Sequence, residues 1–451
     1  MSGPAAGTAV AGTATDVVCL GESMVTFLPS QPGRLADVPS FGRGIGGAES
    51  NVACALAAAG HRAAWVGRVG ADGFGDHLVE AIASYGVDTS AVRRDPARPT
   101  GIYFRTATDR GAGTHEVAYY RAGSAASAMS PANMPYGELF AGRVLHLSGI
   151  TAALSGDCLA LLRELTAPRA GRPLVSFDVN HRPHLWRGGN ADATVLLDLA
   201  RRCDLVFVGE DEAEEAWGIV GAEAIRAAVP EPAVLVVKRG SAGATVFASE
   251  LRPGPGVPAA AGGSGDAAVA RASRAEGDGS AAAARAWRAE EAGDTAAARA
   301  SRAEGDGSAA AARASRAEEA GNAAVARASR LEGAGDVSGP GFPAAGGAEG
   351  GDTVTHVPAL RVEVVAAVGA GDAFAAGFLS ATLRGLPVRD RARHGHLMAA
   401  AVLTVPGDLT EPPARDHADR LAALDDDAWG RLRLGPGWTA AGRPSEEVRT
   451  P

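Results

Sequence analysis

Short, nearly continuous apolar runs alternate with helix-like segments along most of the chain. They are DVVCLGE (16 to 22), AAWVGRVG (63 to 70), RVLHLSGI (143 to 150), PLVSFDVN (173 to 180), DLVFVGE (204 to 210) and AVLVVKRG (233 to 240). Runs of this kind separated by helices predict a parallel sheet covered on both faces, and so an α/β body. The stretch TGIYFRTATDRGAGTHEVAYYR (100 to 121) differs, because it holds two alternating strands around a Gly-rich turn. It predicts a hairpin outside the helical layers, forming a small accessory sheet with residues 24 to 43. ATVFA (244 to 248) reads as the second strand of a hairpin begun by AVLVVK, and HVPALRVEVV (356 to 365) resumes the same strand-rich region.

Between these last two segments the pattern is lost. Arg271, Arg285, Arg299, Arg313 and Arg327 recur every 14 residues, and Arg274, Arg288, Arg302, Arg316 and Arg330 keep the same period. Each unit carries a Gly-bearing break and almost no large apolar side chain, so a tandem repeat of this composition has little surface to bury. Ten arginines against twelve acids between 266 and 336 nearly cancel. The expectation is a low-complexity insert of marginal helix or disorder at 250–353, tolerated because loop closure grows only slowly costly with length. The body then comprises 16–249 and 354–433, with a disordered tail at 1–15 and a flexible one at 434–451.

A chain of 451 residues that is 46% hydrophobic can bury a substantial core. A formal net charge of -9 and a pI near 5.6 argue against a nucleic-acid or anionic-membrane partner and favour small molecules. Cys19, Cys54, Cys158 and Cys203 form no CxxC pair, which predicts reduced thiols. The first residues lack a basic segment, and no run approaches the roughly 20 apolar residues of a membrane span, so a cytoplasmic location is expected. Lys238 is the one lysine among 43 basic side chains. It lies in VVKRG rather than in a Gly-Lys-Ser/Thr loop, which excludes a Walker A site. The V-A-I-K, HRD and DFG motifs of protein kinases are absent too.

Four segments carry candidate chemistry. In GRGIGGAESNVACALAAAG (42 to 60), Gly42, Gly44 and Gly47 satisfy GxGxxG, but no buried strand precedes them, so a dinucleotide site is not expected. The glycines instead let a backbone approach a ligand, with Glu49, Ser50 and Asn51 opening an Ala-rich helix; simple capping by Asn51 is the alternative. In VAYYRAGSAAS (117 to 127), Tyr119 and Arg121 alternate on one face, and the arginine offers a fork to a carboxylate or phosphate. In SFDVNHRPHLW (176 to 186), Asn180 and Arg182 follow an apolar strand, where open α/β sheets place ligands. His181 and His184 have no metal-ligand spacing and are expected to face solvent or support structure. In VVAAVGAGDAFAAG (364 to 377), Gly369, Ala370 and Gly371 can turn into a helix whose free N–H groups form an anion hole. Asp372 beside it is either a helix cap or a base for phosphoryl transfer.

Together these segments resemble the ribokinase-like (PfkB) family of carbohydrate kinases. GGAESNVACALAAAG and the later Gly70 match its N-terminal signature, with Asn51, Ala53, Gly60 and Gly70 at the family's spacing, and GAGDAFAAGFL matches its C-terminal one. GESMVTFLP, GGAESNVA, YYRAGSAAS, LSGIT, DVNHRPHLW and VVKRGSAG are similar to segments of 2-keto-3-deoxygluconate kinases. The resemblance implies a three-layer α/β/α sandwich with a small β-sheet lid, ATP with magnesium, and transfer to a sugar-acid hydroxyl. It implies Asp372 as base and Gly369, Ala370 and Gly371 as anion hole. Gly47, Ala48, Glu49, Ser50, Asn51, Tyr103, Tyr119, Arg121, Arg182 and Asp408 correspond to substrate positions, Arg121 as counter-charge to a substrate carboxylate. Asn180, Arg182, Lys238, Arg239, Gly240, Ser241 and Gly243, with Gly369 and Gly371, correspond to the nucleotide side, and Glu212 to an indirect magnesium position reached through water. The family's acid before the C-terminal motif is replaced by Ala366 and Ala367, which counts against potassium activation, and Gly209 stands where the family often has Asn. A neutral-sugar kinase such as a fructokinase, and a sugar-binding regulator without turnover, stay open as alternatives. Family analogy suggests a homodimer through the lid.

Overall fold

The computed structural model describes residues 15–31, 33–106, 116–186, 193–249 and 352–440. The repeats, the first 14 residues and the last 11 lie outside the described residues. In chain order the strands are β1 (Val17–Leu20), β2 (Met24–Pro29), β3 (Phe41–Gly46), β4 (Ala63–Val66), β5 (Arg68–Gly70), β6 (Arg93–Asp95) and β7 (Ile102–Arg105). They continue with β8 (Val117–Tyr120), β9 (Val144–Ser148), β10 (Leu174–Asp178), β11 (Leu205–Gly209), β12 (Val234–Lys238), β13 (Ala244–Ala248) and β14 (Thr353–Val357).

All six apolar runs become strands of one eight-stranded sheet, ordered β14-β13-β12-β11-β10-β9-β1-β4. The six strands from β12 to β4 are parallel, and β13 and β14 add an antiparallel edge. Alternation along each strand divides the core between two faces. Val17 and Cys19, with Leu205 and Phe207, pack in one cluster; Val18 and Leu20, with Val206 and Val208, pack in the other. The result is a three-layer α/β/α sandwich. A four-stranded sheet, β3-β2-β7-β8, stands apart as the accessory sheet, with β2 parallel to β7 and β8 antiparallel to it.

Two boundaries differ from the sequence reading. Asp352 belongs to the body, where it accepts from Arg226 Nε at 2.7 Å. Leu434, expected to open the C-terminal tail, belongs to the body: Arg433 and Leu434 pair in parallel with Arg361 and Val362, and Leu434 packs into the core. A single buried leucine in a short polar stretch gave little signal for this pairing.

The helix Ala370–Leu383 is anchored to the sheet through Phe207, fully buried, whose ring meets Phe378 edge-on at 5.5 Å and Phe374 at 6.3 Å. Phe207→Ala removes that anchor and leaves a cavity, with an expected loss of about 3–5 kcal/mol in denaturant unfolding. A loss below about 1 kcal/mol would show that Phe207 is not an anchor.

Candidate active site

Gly369 caps the helix Ala370–Leu383 in the left-handed conformation, φ 74°. A Cβ there would lie 2.6 Å from the Asp408 carbonyl oxygen, so both the dihedral and the close approach require glycine. The first N–H groups of this helix have no intrahelical acceptor and share the positive end of the helix dipole. Asp372 is the third helical residue, and its carboxylate accepts from Asn51 Nδ2 at 2.9 Å. Gly369 occupies the cap position, so neither reading as a simple cap holds: Asn51 is the fourth residue of the helix Ala48–Ala58, and its side chain crosses to Asp372. Burial pushes the Asp372 carboxyl up to about 7; the Asn51 hydrogen bond opposes this and the Asp178 charge adds to it.

Lys238, at the end of β12, donates from Nζ to Asp178 Oδ1 at 3.0 Å and Oδ2 at 3.2 Å. Its Nζ lies 3.8 Å from where a Cβ on Gly371 would stand, which sets the ammonium beside the helix start. Burial works against its charge, but Asp178, Glu212 and Asp372 together hold it well above the usual lysine range. Glu212 accepts from the Gly209 N–H at 2.9 Å, closing the start of the helix Glu210–Trp217, and burial raises its carboxyl. Asn180 takes φ 43° with its Oδ1 buried and without a partner among the described residues. Arg182 is exposed; its carbonyl accepts from the Leu185 N–H at 2.9 Å, its guanidinium forms no hydrogen bond or ion pair among the described residues, and its charge reaches Asp372 and Glu212. Arg239, Gly240, Ser241 and Gly243 turn β12 into β13; Arg239 pairs with Glu210, Ser241 is exposed, and Gly243 presses against the Val357 carbonyl.

The accessory sheet meets the body over this area. Gly47 leads into the helix Ala48–Ala58, where Ser50 Oγ bonds Ser23 Oγ at 3.0 Å. Gly42 and Gly44 lie inside β3, far from a dinucleotide geometry. Glu49 is buried, accepts from Thr151 Oγ1 at 2.6 Å, and is pushed by burial up to about 8. Arg121 corrects an expectation: its guanidinium is already paired with Glu22, a buried carboxylate that also accepts from Ser124 Oγ at 2.9 Å. Arg121 is therefore not a bare counter-charge. Tyr119 stacks on His184 at 5.3 Å, joining the accessory sheet to the body, and its ring lies 5.5 Å from that of Tyr103. The Tyr103 hydroxyl reaches Asp408 Oδ2 at 3.5 Å, and Arg105 Nη2 donates to Asp408 Oδ1 at 2.8 Å.

Asn51, Asp178, Lys238, Asp372 and Asp408 thus come together from segments far apart in the chain. Sequence reading missed Asp178, Glu22 and Arg105. Asp178 was legible as an acid ending an apolar strand, and Arg105 as the residue two beyond Tyr103 on the same strand face. Nothing in the sequence marks Glu22 as the partner of Arg121. In chemical terms, a carboxylate near neutral pKa stands beside free N–H groups and one ammonium, able to accept a proton while an anion is held.

Comparison with known proteins adds an independent line. The model of the pfkB family carbohydrate kinases matches residues 14–298 and 345–415. The chain is 36% identical over 205 residues to the 2-dehydro-3-deoxygluconokinase of Bacillus subtilis (strain 168), a match covering 45% of this chain and 63% of that protein, less than two thirds of its length. It is 32% identical over 247 residues to fructokinase-1 of Oryza sativa subsp. japonica, covering 54% of this chain and 76% of that one. Among solved structures it is similar to a PfkB protein from Polaromonas sp. JS666, with a TM-score of 0.60, 26% identity, and coverage of 90% of this chain and 99% of that chain.

Proposed function

Because the chain belongs to the pfkB family of carbohydrate kinases, we propose that it transfers the γ-phosphoryl group of ATP to a hydroxyl of a sugar acid, with 2-keto-3-deoxygluconate the leading acceptor. The observation that carries this reading is the Asp372 carboxylate, hydrogen-bonded by Asn51 and set at the start of a helix whose N–H groups are open to an anion. Asp372 takes the acceptor hydroxyl proton as the new O–P bond forms and the bond to the ADP oxygen breaks. The N–H groups after Gly369 and the Lys238 ammonium hold the charge spread over the transferring oxygens. Asn180 and the Lys238–Gly243 turn face the nucleotide; Gly47 to Asn51, Tyr103, Tyr119 and Asp408 face the sugar.

No group of three or more His, Cys, Asp or Glu side chains in a metal-holding arrangement occurs among the described residues. Magnesium would enter with the nucleotide, where Glu212 and Asp178 would hold it through water and it would supply charge neutralisation. Potassium activation is not expected, since Ala366 is buried with its N–H on the Leu403 carbonyl, and neither it nor Ala367 offers a carboxylate.

Arg182, exposed and with its guanidinium unpaired among the described residues, supports a sugar acid, as does the similarity to the Bacillus subtilis protein. The Glu22 pairing of Arg121 favours the second reading, a neutral-sugar kinase. ADP release measured with 2-keto-3-deoxygluconate, gluconate, fructose and ribose separates them. A kcat/KM for the keto acid at least about tenfold above that for fructose is expected. A reversed order supports the neutral-sugar reading, and no turnover with any sugar supports a binding protein without catalysis.

Asn51→Ala tests the proton acceptor. The Asn51 bond favours the ionised carboxylate, so its loss raises the Asp372 pKa further above about 7. A base must be ionised to act, so activity rises with pH through that pKa, and the half-maximal point of kcat moves to higher pH in the variant. A half-maximal point equal to wild type would remove Asn51 from this role.

A further inference from the structure

Arg105 and Asp408 form an ion pair across 303 positions of sequence, one on the accessory-sheet strand β7 and the other in the loop after the helix Val388–Leu403. Each side chain is 8% exposed, and the N–O distance is 2.8 Å. The Asp408 backbone is the surface against which Gly369 packs, with only 2.6 Å between its carbonyl oxygen and the place of a Gly369 Cβ. The Tyr103 hydroxyl closes the other carboxylate oxygen at 3.5 Å. Arg105 Nε is buried with no partner among the described residues. A buried guanidinium with one donor open is costly unless a further acceptor or the geometry of the pair repays it. This pair is the point where β7 is tied to the loop that shapes the helix cap.

We propose that Arg105 is a positioning residue that fixes the Asp408 carboxylate against the acceptor sugar and, through it, links the accessory sheet to the loop packed on Gly369. The inference rests on the reading above that the Asp408 side faces the sugar. Burial raises the Asp408 carboxyl; Arg105 opposes this most, through its charge and its hydrogen bond, and the Tyr103 hydroxyl opposes it less, so without Arg105 the carboxylate keeps only the long Tyr103 contact and loses its charge support.

The test is a cycle of Arg105→Met, Asp408→Asn and the double variant, with Arg105→Lys as the charge-keeping control, read as kcat and separate KM values for sugar and ATP. Arg105→Met is expected to raise the sugar KM by about tenfold or more, consistent with breaking a buried pair, while the ATP KM stays within about twofold. Arg105→Lys recovers most of the loss, and the double variant is no worse than the worse single one. An unchanged sugar KM in Arg105→Met, or single effects that multiply in the double variant, overturns the proposal. Wild-type protein without turnover on any sugar would instead count against the kinase reading. The link is then read by amide exchange: faster exchange at both β7 and residues 405–410 in Arg105→Met supports it, and unchanged exchange at 405–410 refutes it.

Discussion

Asp372→Asn is expected to lower kcat by about 10²- to 10⁴-fold, the range for loss of a positioned general base. The change is nearly isosteric, and the Asn51 amide, 2.9 Å from the native carboxylate, finds an acceptor in the carbonyl oxygen of the new side chain, so the helix start and its fold should persist. Removing the carboxylate also removes a charge that burial disfavours, since its pKa is pushed up to about 7. Stability near neutral pH should therefore hold or rise slightly while turnover collapses. The sugar KM should change by less than about threefold, because the interaction lost belongs to the transition state. A variant retaining more than about a tenth of wild-type kcat would remove Asp372 from the role of base.

Gly369→Ala is the second large effect. The residue sits at φ 74°, where an L side chain costs about 1–2 kcal/mol, and its Cβ would stand 2.6 Å from the Asp408 carbonyl oxygen and 3.0 Å from its Cα. Relief requires the cap to move away from Asp408, which displaces the first N–H groups of the helix and Asp372 together. A misplacement on the order of 1 Å at a reacting group costs about 10²-fold in rate, so kcat should fall by about that factor with a modest loss of melting temperature. The contrary result is a variant with wild-type kcat and lowered stability, which would mean that the cap supports the fold without shaping the reaction.

The layer architecture was legible because each strand of a sheet buried on both faces must be apolar along its whole length, and six such runs stand out. The accessory sheet was legible for the opposite reason: alternation in TGIYFR and VAYYR marks strands with one face covered. Asp372 and Asn51 were found, but their meeting was not, because a hydrogen bond across 321 positions leaves no local trace. The ion pairs were harder still. Arg121 looked like an open cation from its own strand, and only the fold brings Glu22, which follows β1, beneath it. Arg105 was passed over although its spacing from Tyr103 equals that of Arg121 from Tyr119, because an arginine in an exposed-looking hairpin carries no sign of burial.

The most direct test of Asp372 as the proton acceptor is the pH dependence of a single turnover, in which ATP and enzyme in excess over sugar exclude product release from the rate. With Asp372 titrating near 7, the rate constant should fall about tenfold per pH unit below that point and level off above it. A rate constant that stays flat from about pH 5 to about pH 9 in folded protein would contradict a base at Asp372.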